Sequence, residues 1–159
     1  MNTIILLRHA AAVPHEAKRD FDRELTPNGR LEAQHVGKKL LALQLVPSRI
    51  LSSAALRARE TAELACEAMG IASGSISWHA LLYQADVATL VDILDEEPPQ
   101  DCLLVVGHNP ALSECASYLA GQPLHLKPAH AARLLRCSAT APIQPGNIRL
   151  KAIITPDPG

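Results

Sequence analysis

Three polar clusters in this chain combine arginine, serine and histidine in a way that suits phosphate chemistry. They are Arg8 with His9, Ser53 with Arg57, and His108. A guanidinium group binds phosphate oxygens through a planar fork of N–H donors. An imidazole can donate hydrogen bonds to the same oxygens, or it can attack phosphorus and carry the phosphoryl group for a time. If the fold brings the clusters together, they form an anion site that contains a candidate nucleophile.

Each cluster follows a segment that has the character of a strand. Residues 4–7 and 102–106 are short apolar runs, and residues 49–52 predict a shorter strand. Continuous apolar runs of this length are typical of strands that are buried on both faces of a parallel sheet. The carboxyl ends of parallel strands share one rim, where open α/β sheets place their ligands. The sequence therefore predicts that the three clusters converge at that rim.

Helical patterns separate the predicted strands. The first helix is expected to start at Thr26-Pro27 and end at Pro47, with a buried face made of Ala33, Val36, Leu40 and Leu43. A second helix continues from 53–57 to Gly70, with Ala58, Ala62, Ala65 and Met69 inward. A third covers 87–95 with Asp86 as its N-cap, and a fourth runs from Asn109-Pro110 to Gly121.

Further strands are predicted at 75–82, 131–137 and 148–154, the last two as an antiparallel pair at the sheet edge. Strands that alternate with helices predict an α/β fold. We expect a three-layer α/β/α sandwich around a largely parallel, mixed central sheet, in a single domain over residues 1–159.

Composition narrows the classes of partner. The formal net charge is -1, from 15 basic and 16 acidic residues, so a few placed cations rather than a global field must bind phosphate. Only four aromatic residues are present, which argues against a nucleic-acid partner.

The short N-terminal apolar run, followed at once by Arg8, favours neither a signal peptide nor a membrane span. The four cysteines form no CxxC pair, and we expect reduced thiols in a cytoplasmic protein.

The motifs resemble those of a known family. RHA at 8–10, SAALRARETA at 53–62 and VVGHNP at 105–110 are similar to the histidine phosphatase (phosphoglycerate mutase-like) superfamily. RELT at 23–26, the short chain and the absence of inserted cap segments resemble its small SixA-type phosphohistidine phosphatase branch. RHA alone is a weak match, but three motifs in order, each at a predicted strand end, are specific together.

The resemblance implies roles for particular residues. His9 corresponds to the nucleophile that forms a covalent phosphohistidine intermediate, and Arg8, Arg57 and His108 correspond to the pocket that holds the phosphate oxygens. Arg23 falls where the SixA-type branch often has a further arginine near the phosphate, and Ser53 matches a recurring serine whose role is either phosphate binding or structural. The resemblance implies neither a cofactor nor a metal. Zinc bound by His9, His79 and His108 is disfavoured, because neighbouring arginines repel a dication.

Two departures from the family pattern bear on substrate. Ala10 replaces the usual glycine of RHG, so we expect ordinary backbone geometry there. Family members that cleave phosphate esters often carry a proton-donating glutamate after the third strand, but here residues 79–86 hold a single carboxylate, Asp86. Asp86 is a candidate proton donor, although helix capping is its expected role. An imidazole leaving group accepts a proton near pH ~6.5 and needs such an acid less than an alkoxide does.

The sequence thus favours a metal-independent phosphatase that hydrolyses phosphohistidine in a protein partner, or another small phosphorylated substrate. One alternative is a general phosphomonoesterase with Asp86 or water as the acid. Another is a non-catalytic module that recognises phosphate. Arg57 could instead pair with Glu60 or Glu63 on its own helix. The Asp20-Phe21-Asp22 segment is similar to an aspartyl-nucleophile DxD signature, but no strand precedes it.

Overall fold

The computed structural model describes residues 2–14, 16 and 18–157. Within them, six strands form one sheet in the order β3-β2-β4-β1-β5-β6. The strands are β1 (Asn2–Arg8), β2 (Arg49–Ser52), β3 (Ile76–Trp78), β4 (Cys102–Gly107), β5 (Ala131–Arg136) and β6 (Ile148–Ile154). β1 to β4 run parallel, whereas β5 pairs antiparallel with both β1 and β6. The mixed, largely parallel sheet and its antiparallel edge pair are confirmed.

Helices cover both faces of the sheet. They are α1 (Pro27–Ala42), α2 (Leu56–Ala68), α3 (Val87–Glu96) and α4 (Ala111–Ala120). Side chains alternate along β1, so Ile4 and Leu6 pack into the core beneath α3 and α4, while Ile5 and Leu7 pack beneath α1 and α2. The three-layer α/β/α arrangement is confirmed. No helix in the described part of the chain is long and apolar enough to cross a membrane.

The end of α1 differs from the prediction. The helix begins as expected, with the Thr26 hydroxyl accepting from the Gly29 backbone N–H at 2.9 Å. It ends at Ala42 rather than at Pro47, because Gln44 takes a left-handed conformation with φ of 60°. The chain then turns back, and the Leu45 N–H donates to the Leu40 carbonyl at 2.8 Å. Leu43, expected to be buried, is 48% exposed, and Leu45 is buried in its place.

The third strand is shorter than predicted. It covers Ile76–Trp78 rather than 75–82, because β2, its one neighbour among the described strands, ends at Ser52 opposite Trp78. The His79 N–H still donates to the Ser52 carbonyl at 2.8 Å, and residues 80–82 then form a 3₁₀ turn. The predicted buried face of α2 is confirmed, since Ala58, Ala62, Ala65 and Met69 all lie in the core.

Helices α1 and α2 pack very closely at Gly37. An ideal Cβ built on Gly37 would stand 2.5 Å from the Ala65 carbonyl oxygen and 2.9 Å from the Ala68 Cβ. Backbone atoms cannot yield as a flexible side chain can, so a methyl group at position 37 would force the two helices apart.

We expect Gly37→Ala to lower the free energy of unfolding by about 2 kcal/mol, the usual scale of overpacking. Urea unfolding measures the change. Gly74→Ala is the matched control, because nothing lies within 4 Å of a Cβ there, and its effect should stay within about 0.5 kcal/mol. Equal stabilities of the two variants would contradict the close-contact explanation.

Candidate active site

The strand register sets His9, Ser53 and His108 side by side at one rim of the sheet. Arg8 is paired with Gly107 in the β1–β4 ladder, and Ser52 is paired with Val106 in the β2–β4 ladder. The ladder continues one step further, since the His9 N–H donates to the Gly107 carbonyl at 3.1 Å and the Ser53 N–H to Val106 at 3.0 Å. The three strand ends therefore lie level with each other.

The two imidazoles of the site face each other. The ring centroids of His9 and His108 lie 5.2 Å apart, with the ring planes inclined at 53°. Nε2 of His108 is 2.7 Å from the Ser53 hydroxyl oxygen, and the Ala55 N–H donates to that oxygen at 3.2 Å. Ser53 thus orients His108 while it fastens the turn before α2.

His9 is held as a neutral ring with one nitrogen free. Its Nδ1 lies 2.7 Å from the backbone carbonyl oxygen of Ala10. A carbonyl can only accept, so Nδ1 must carry the hydrogen and Nε2 of the neutral ring keeps its lone pair.

Burial and the arginines around His9 keep its ring uncharged. Burial is the largest cause that lowers the pKa of His9, to about 4. The hydrogen bond to the Ala10 carbonyl opposes this shift, whereas the charges of Arg57, Arg8 and Arg23 reinforce it. Burial likewise lowers the pKa of His108, to about 3. Both rings are therefore neutral at pH 7.

Arg57 projects from the first turn of α2 to Asp20 on a distant loop. Its Nη1 donates to the Asp20 backbone oxygen at 2.7 Å, and its Nη2 donates to the Asp20 carboxylate at 3.1 Å. Glu60, the alternative partner on the same helix, instead accepts from Arg30 at 2.5 Å. Arg57 therefore pairs with Asp20, and the alternative of an ion pair with Glu60 or Glu63 on its own helix is wrong.

Arg23 and Tyr83 meet the same Asp20 carboxylate. Arg23 Nη1 donates to Asp20 Oδ1 at 2.7 Å, and the Tyr83 O–H donates to Oδ2 at 2.5 Å. The Tyr83 hydrogen bond is the largest of the causes that hold the pKa of Asp20 well below its usual value, followed by the bond from Arg23. Tyr83 also packs its ring edge-on to His108, with centroids 5.6 Å apart. Arg23 and Arg57 thus share one carboxylate beside the histidine pair.

Arg8 is held by the segment that follows α4. Its Nη1 donates to the Leu126 carbonyl at 3.1 Å, and the Asn109 side-chain amide donates to the same carbonyl at 2.8 Å. The segment after α4 is thereby tied to the ends of both β1 and β4.

Several buried nitrogens of the site have no partner. Among the described residues, five buried side-chain nitrogen atoms make no hydrogen bond, and three of them are Arg8 Nε, Arg57 Nε and His108 Nδ1. Buried polar atoms are nearly always paired. Arg8 and Arg57 thus each keep an N–H donor of the kind that an oxyanion accepts from, and the other two atoms are His79 Nδ1 and Arg133 Nε.

Ala10 sits in ordinary geometry, as expected from its side chain. It is absent from the non-glycine residues with positive φ in the described part of the chain, which are Gln44 and Ala129. Its N–H donates to the Thr61 hydroxyl at 3.0 Å, and that hydroxyl donates to the Arg57 carbonyl at 2.8 Å. Thr61 therefore links the end of β1 directly to α2.

Asp86 serves as the N-cap of α3. Its carboxylate accepts from the Thr89 backbone N–H at 2.8 Å, and this hydrogen bond is the main cause that lowers the pKa of Asp86. An exposed, ionised carboxylate has no proton to give at neutral pH, so the geometry favours capping over proton donation. No group of three or more metal-ligating side chains is found in the described residues.

Asp20 and Tyr83 join the site without a sequence motif that assigns them to it. Asp20 lies 37 positions from Arg57 and 63 from Tyr83 along the chain. The available signals are positional: Asp20 precedes Arg23 by three residues, and Tyr83 lies in the segment 79–86 where the resemblance leads one to look for an acid.

Comparisons with known proteins find relatives both by sequence and by structure. The sequence profile of the histidine phosphatase superfamily (branch 1) matches residues 4–81. An uncharacterized chloroplastic protein of Arabidopsis thaliana is 31% identical over an alignment of 169 positions, which covers 97% of this chain and 78% of that protein. A structure described as a candidate phosphohistidine phosphatase SixA from Agrobacterium tumefaciens matches with a TM-score of 0.83 and 26% identity, over 97% of both chains. A similarly described SixA structure from Nakamurella multipartitia matches with a TM-score of 0.77 and 28% identity, over 96% of this chain and 94% of that one.

A mixed α/β/α sheet with two facing histidines and three arginines near its rim defines a phosphate-handling α/β protein. The chain belongs to the histidine phosphatase superfamily (branch 1), and within it to the SixA-type branch. The family and these neighbours support a phosphatase.

The two neutral histidines should make stability depend on pH. The pKa of histidine in the unfolded chain is about 6.5, above the folded values of about 4 for His9 and about 3 for His108. The unfolded state therefore binds more protons below pH 6.5, and stability present above that pH is lost as the pH falls. Each ring should cost about 2 kcal/mol between pH 7.5 and pH 5.

Urea unfolding of wild type and His108→Gln at both pH values tests this expectation. The variant should lose about 2 kcal/mol less than wild type over the interval. His125→Gln, which changes an exposed histidine, should behave like wild type. Equal losses in wild type and His108→Gln would contradict a neutral His108.

Proposed function

We propose that the protein is a phosphohistidine phosphatase that works through a covalent intermediate on His9. The observation that carries the proposal is the state of His9: a neutral, buried ring whose Nδ1–H is held by Ala10, so that Nε2 is left as the nucleophile. The low pKa, to which three arginine charges contribute, keeps the lone pair available at neutral pH.

The first step follows from this geometry. His9 Nε2 attacks phosphorus, and a new N–P bond forms while the bond to the leaving group breaks. Arg8, Arg57 and Arg23 hold the oxygens in this proposal and offset the charge that develops on them. His108, neutral and oriented by Ser53 at 2.7 Å, contributes hydrogen bonding rather than charge. Water then attacks the phosphorylated His9, releases inorganic phosphate and restores the ring.

The surroundings of His108 suit a neutral leaving group. A cleft of about 160 Å³ opens there, lined by Leu82, Tyr83, His108, Asn109 and Pro110 among others. None of the described residues that line it is an aspartate, glutamate, lysine or arginine. An imidazole leaving group takes its proton near neutral pH without a strong acid beside it, whereas an alkoxide needs a donor.

Two other functions fit part of the same site. A general phosphomonoesterase would need a proton from water, given that Asp86 is engaged as a cap. A phosphate-recognition module would use the arginines without turnover. The free Nε2 of His9 favours catalysis over recognition alone, because binding an anion calls for donors rather than for a lone pair.

The proposal extends to the setting of the reaction. We propose a phosphorylated protein or a small phosphorylated molecule as substrate, and no metal, because guanidinium groups supply the positive charge.

Cys66, Cys102 and Cys115 are buried free thiols, and Cys137 is free and exposed. Unpaired cysteines are usual in reducing compartments, which supports a cytoplasmic location.

We expect His9→Ala to abolish phosphate release, by at least ~10³-fold in kcat, because no group replaces the nucleophile. Binding of inorganic phosphate, measured by calorimetry, should largely survive. His35→Ala is the control, since His35 lies on α1 and should leave turnover unchanged. Wild-type protein should form an acid-labile phosphoenzyme that His9→Ala lacks; full turnover in His9→Ala would refute the covalent mechanism.

Substrate preference should separate the three functions. We expect kcat/KM for phosphohistidine or a simple phosphoramidate to exceed that for an alkyl phosphate by ~10²-fold or more, the usual worth of a general acid. Steady-state phosphate release from both substrates measures the ratio. Comparable values would favour the phosphomonoesterase, and phosphate binding without any hydrolysis would favour the recognition module.

A further inference from the structure

The Asp20 carboxylate occupies N–H donors that a phosphate would also use. Its Oδ1 accepts from Arg23 at 2.7 Å, and its Oδ2 accepts from Arg57 at 3.1 Å and from the Tyr83 hydroxyl at 2.5 Å. Carboxylates and phosphates bind guanidinium groups through the same pairs of N–H donors. An incoming phosphate that engages Arg23 and Arg57 therefore competes with a side chain of the protein itself.

The two partners of this contact are fixed very differently. The Arg57 side chain is 8% exposed, whereas the Asp20 side chain is 46% exposed. Asp20 begins a 3₁₀ turn, Asp20–Asp22, that has no buried residue. Rotation of its carboxylate toward water would therefore uncover little apolar surface, and the guanidinium is the stationary member of the pair.

Arg57 would keep its position when the carboxylate leaves. Its Nη1 donates to the backbone oxygen of Asp20 at 2.7 Å, a bond that does not involve the carboxylate. The Tyr83 ring adds a second support, because the Arg57 guanidinium carbon lies 5.9 Å from its centroid. Displacement of the carboxylate thus frees N–H donors without dismantling the pocket.

We propose that Asp20 is an internal anion that competes with phosphate for Arg23 and Arg57 and so sets a deliberately modest affinity for phosphate. The inference rests on the proposed function only in taking these arginines as phosphate ligands. In the empty site the carboxylate offsets two neighbouring positive charges. After turnover it returns to them and favours release of inorganic phosphate, so Asp20 governs affinity and product release rather than bond cleavage.

The test is the affinity of Asp20→Asn for inorganic phosphate, measured by calorimetry. The amide keeps the size of the side chain but removes the competing charge. We expect the Kd to fall on the order of tenfold, as loss of a charge-assisted competitor implies. Inorganic phosphate should also become a stronger competitive inhibitor by a similar factor. An unchanged or raised Kd would overturn the proposal and make Asp20 a fixed support of Arg57.

Two further variants keep the result interpretable. Tyr83→Phe removes one hydrogen bond that retains the carboxylate, so its Kd should fall about threefold; if Asp20→Asn does not fold, an unchanged or raised Kd in Tyr83→Phe overturns the proposal. Asp22→Asn is the charge-matched control, because Asp22 pairs with exposed Arg19 at 3.1 Å. A fall in Asp22→Asn equal to that in Asp20→Asn would also overturn it, since net charge alone would then explain the effect.

Calorimetry separates this inference from the proposed function. If wild-type protein hydrolyses nothing but Asp20→Asn binds phosphate more tightly, the internal anion stands and the phosphatase proposal fails. If wild-type protein turns over phosphohistidine but the Kd does not respond to Asp20→Asn, the phosphatase proposal stands and the internal anion fails.

Discussion

An imidazole that stays uncharged while arginines surround it is the constraint on which the site depends. The charges of Arg57, Arg8 and Arg23 all act on His9, and a protonated ring there would be repelled by each of them. Burial at the sheet rim is the main cause that keeps the ring neutral, and the hydrogen bond to the Ala10 carbonyl selects the tautomer in which Nε2 is free. The proposed nucleophile and the proposed anion pocket therefore depend on the same arrangement of charges.

Backbone pairing positions the histidines and Ser53, whereas long-range side-chain contacts position the arginines. The parallel ladders fix how far His9, Ser53 and His108 project, because each continues a strand that is paired up to the residue before it. The arginines are aimed by carbonyls and a carboxylate from segments remote in sequence, such as Leu126 for Arg8 and Asp20 for Arg57. The first kind of order lies in the backbone, whereas the second lies in side-chain contacts, of which we propose that phosphate displaces the Asp20 carboxylate.

This division explains what the sequence could predict. Apolar runs that stop at Arg8-His9 and at His108 announce strand ends, and parallel strand ends share a rim. The layered fold and the placement of the polar clusters follow from that local information. The roles of Asp20 and Tyr83 do not, because they arise when a loop folds back across 37 and 63 positions of chain. Leu43 and the short β3 were mispredicted for a similar reason, since a left-handed Gln44 and a short partner strand override hydrophobic periodicity.

The Thr61 hydroxyl gives the site a mechanical property that its catalytic groups alone do not. Its oxygen accepts from the Ala10 N–H, and its O–H donates to the Arg57 carbonyl, so it links the backbone next to His9 to the helix that carries Arg57. Thr61 and Arg57 both lie on α2, so a shift of α2 against the sheet would strain the hydrogen bond from Ala10. Valine has a similar shape and would fill the same space, but without the oxygen the end of β1 would lose its hydrogen bond to α2.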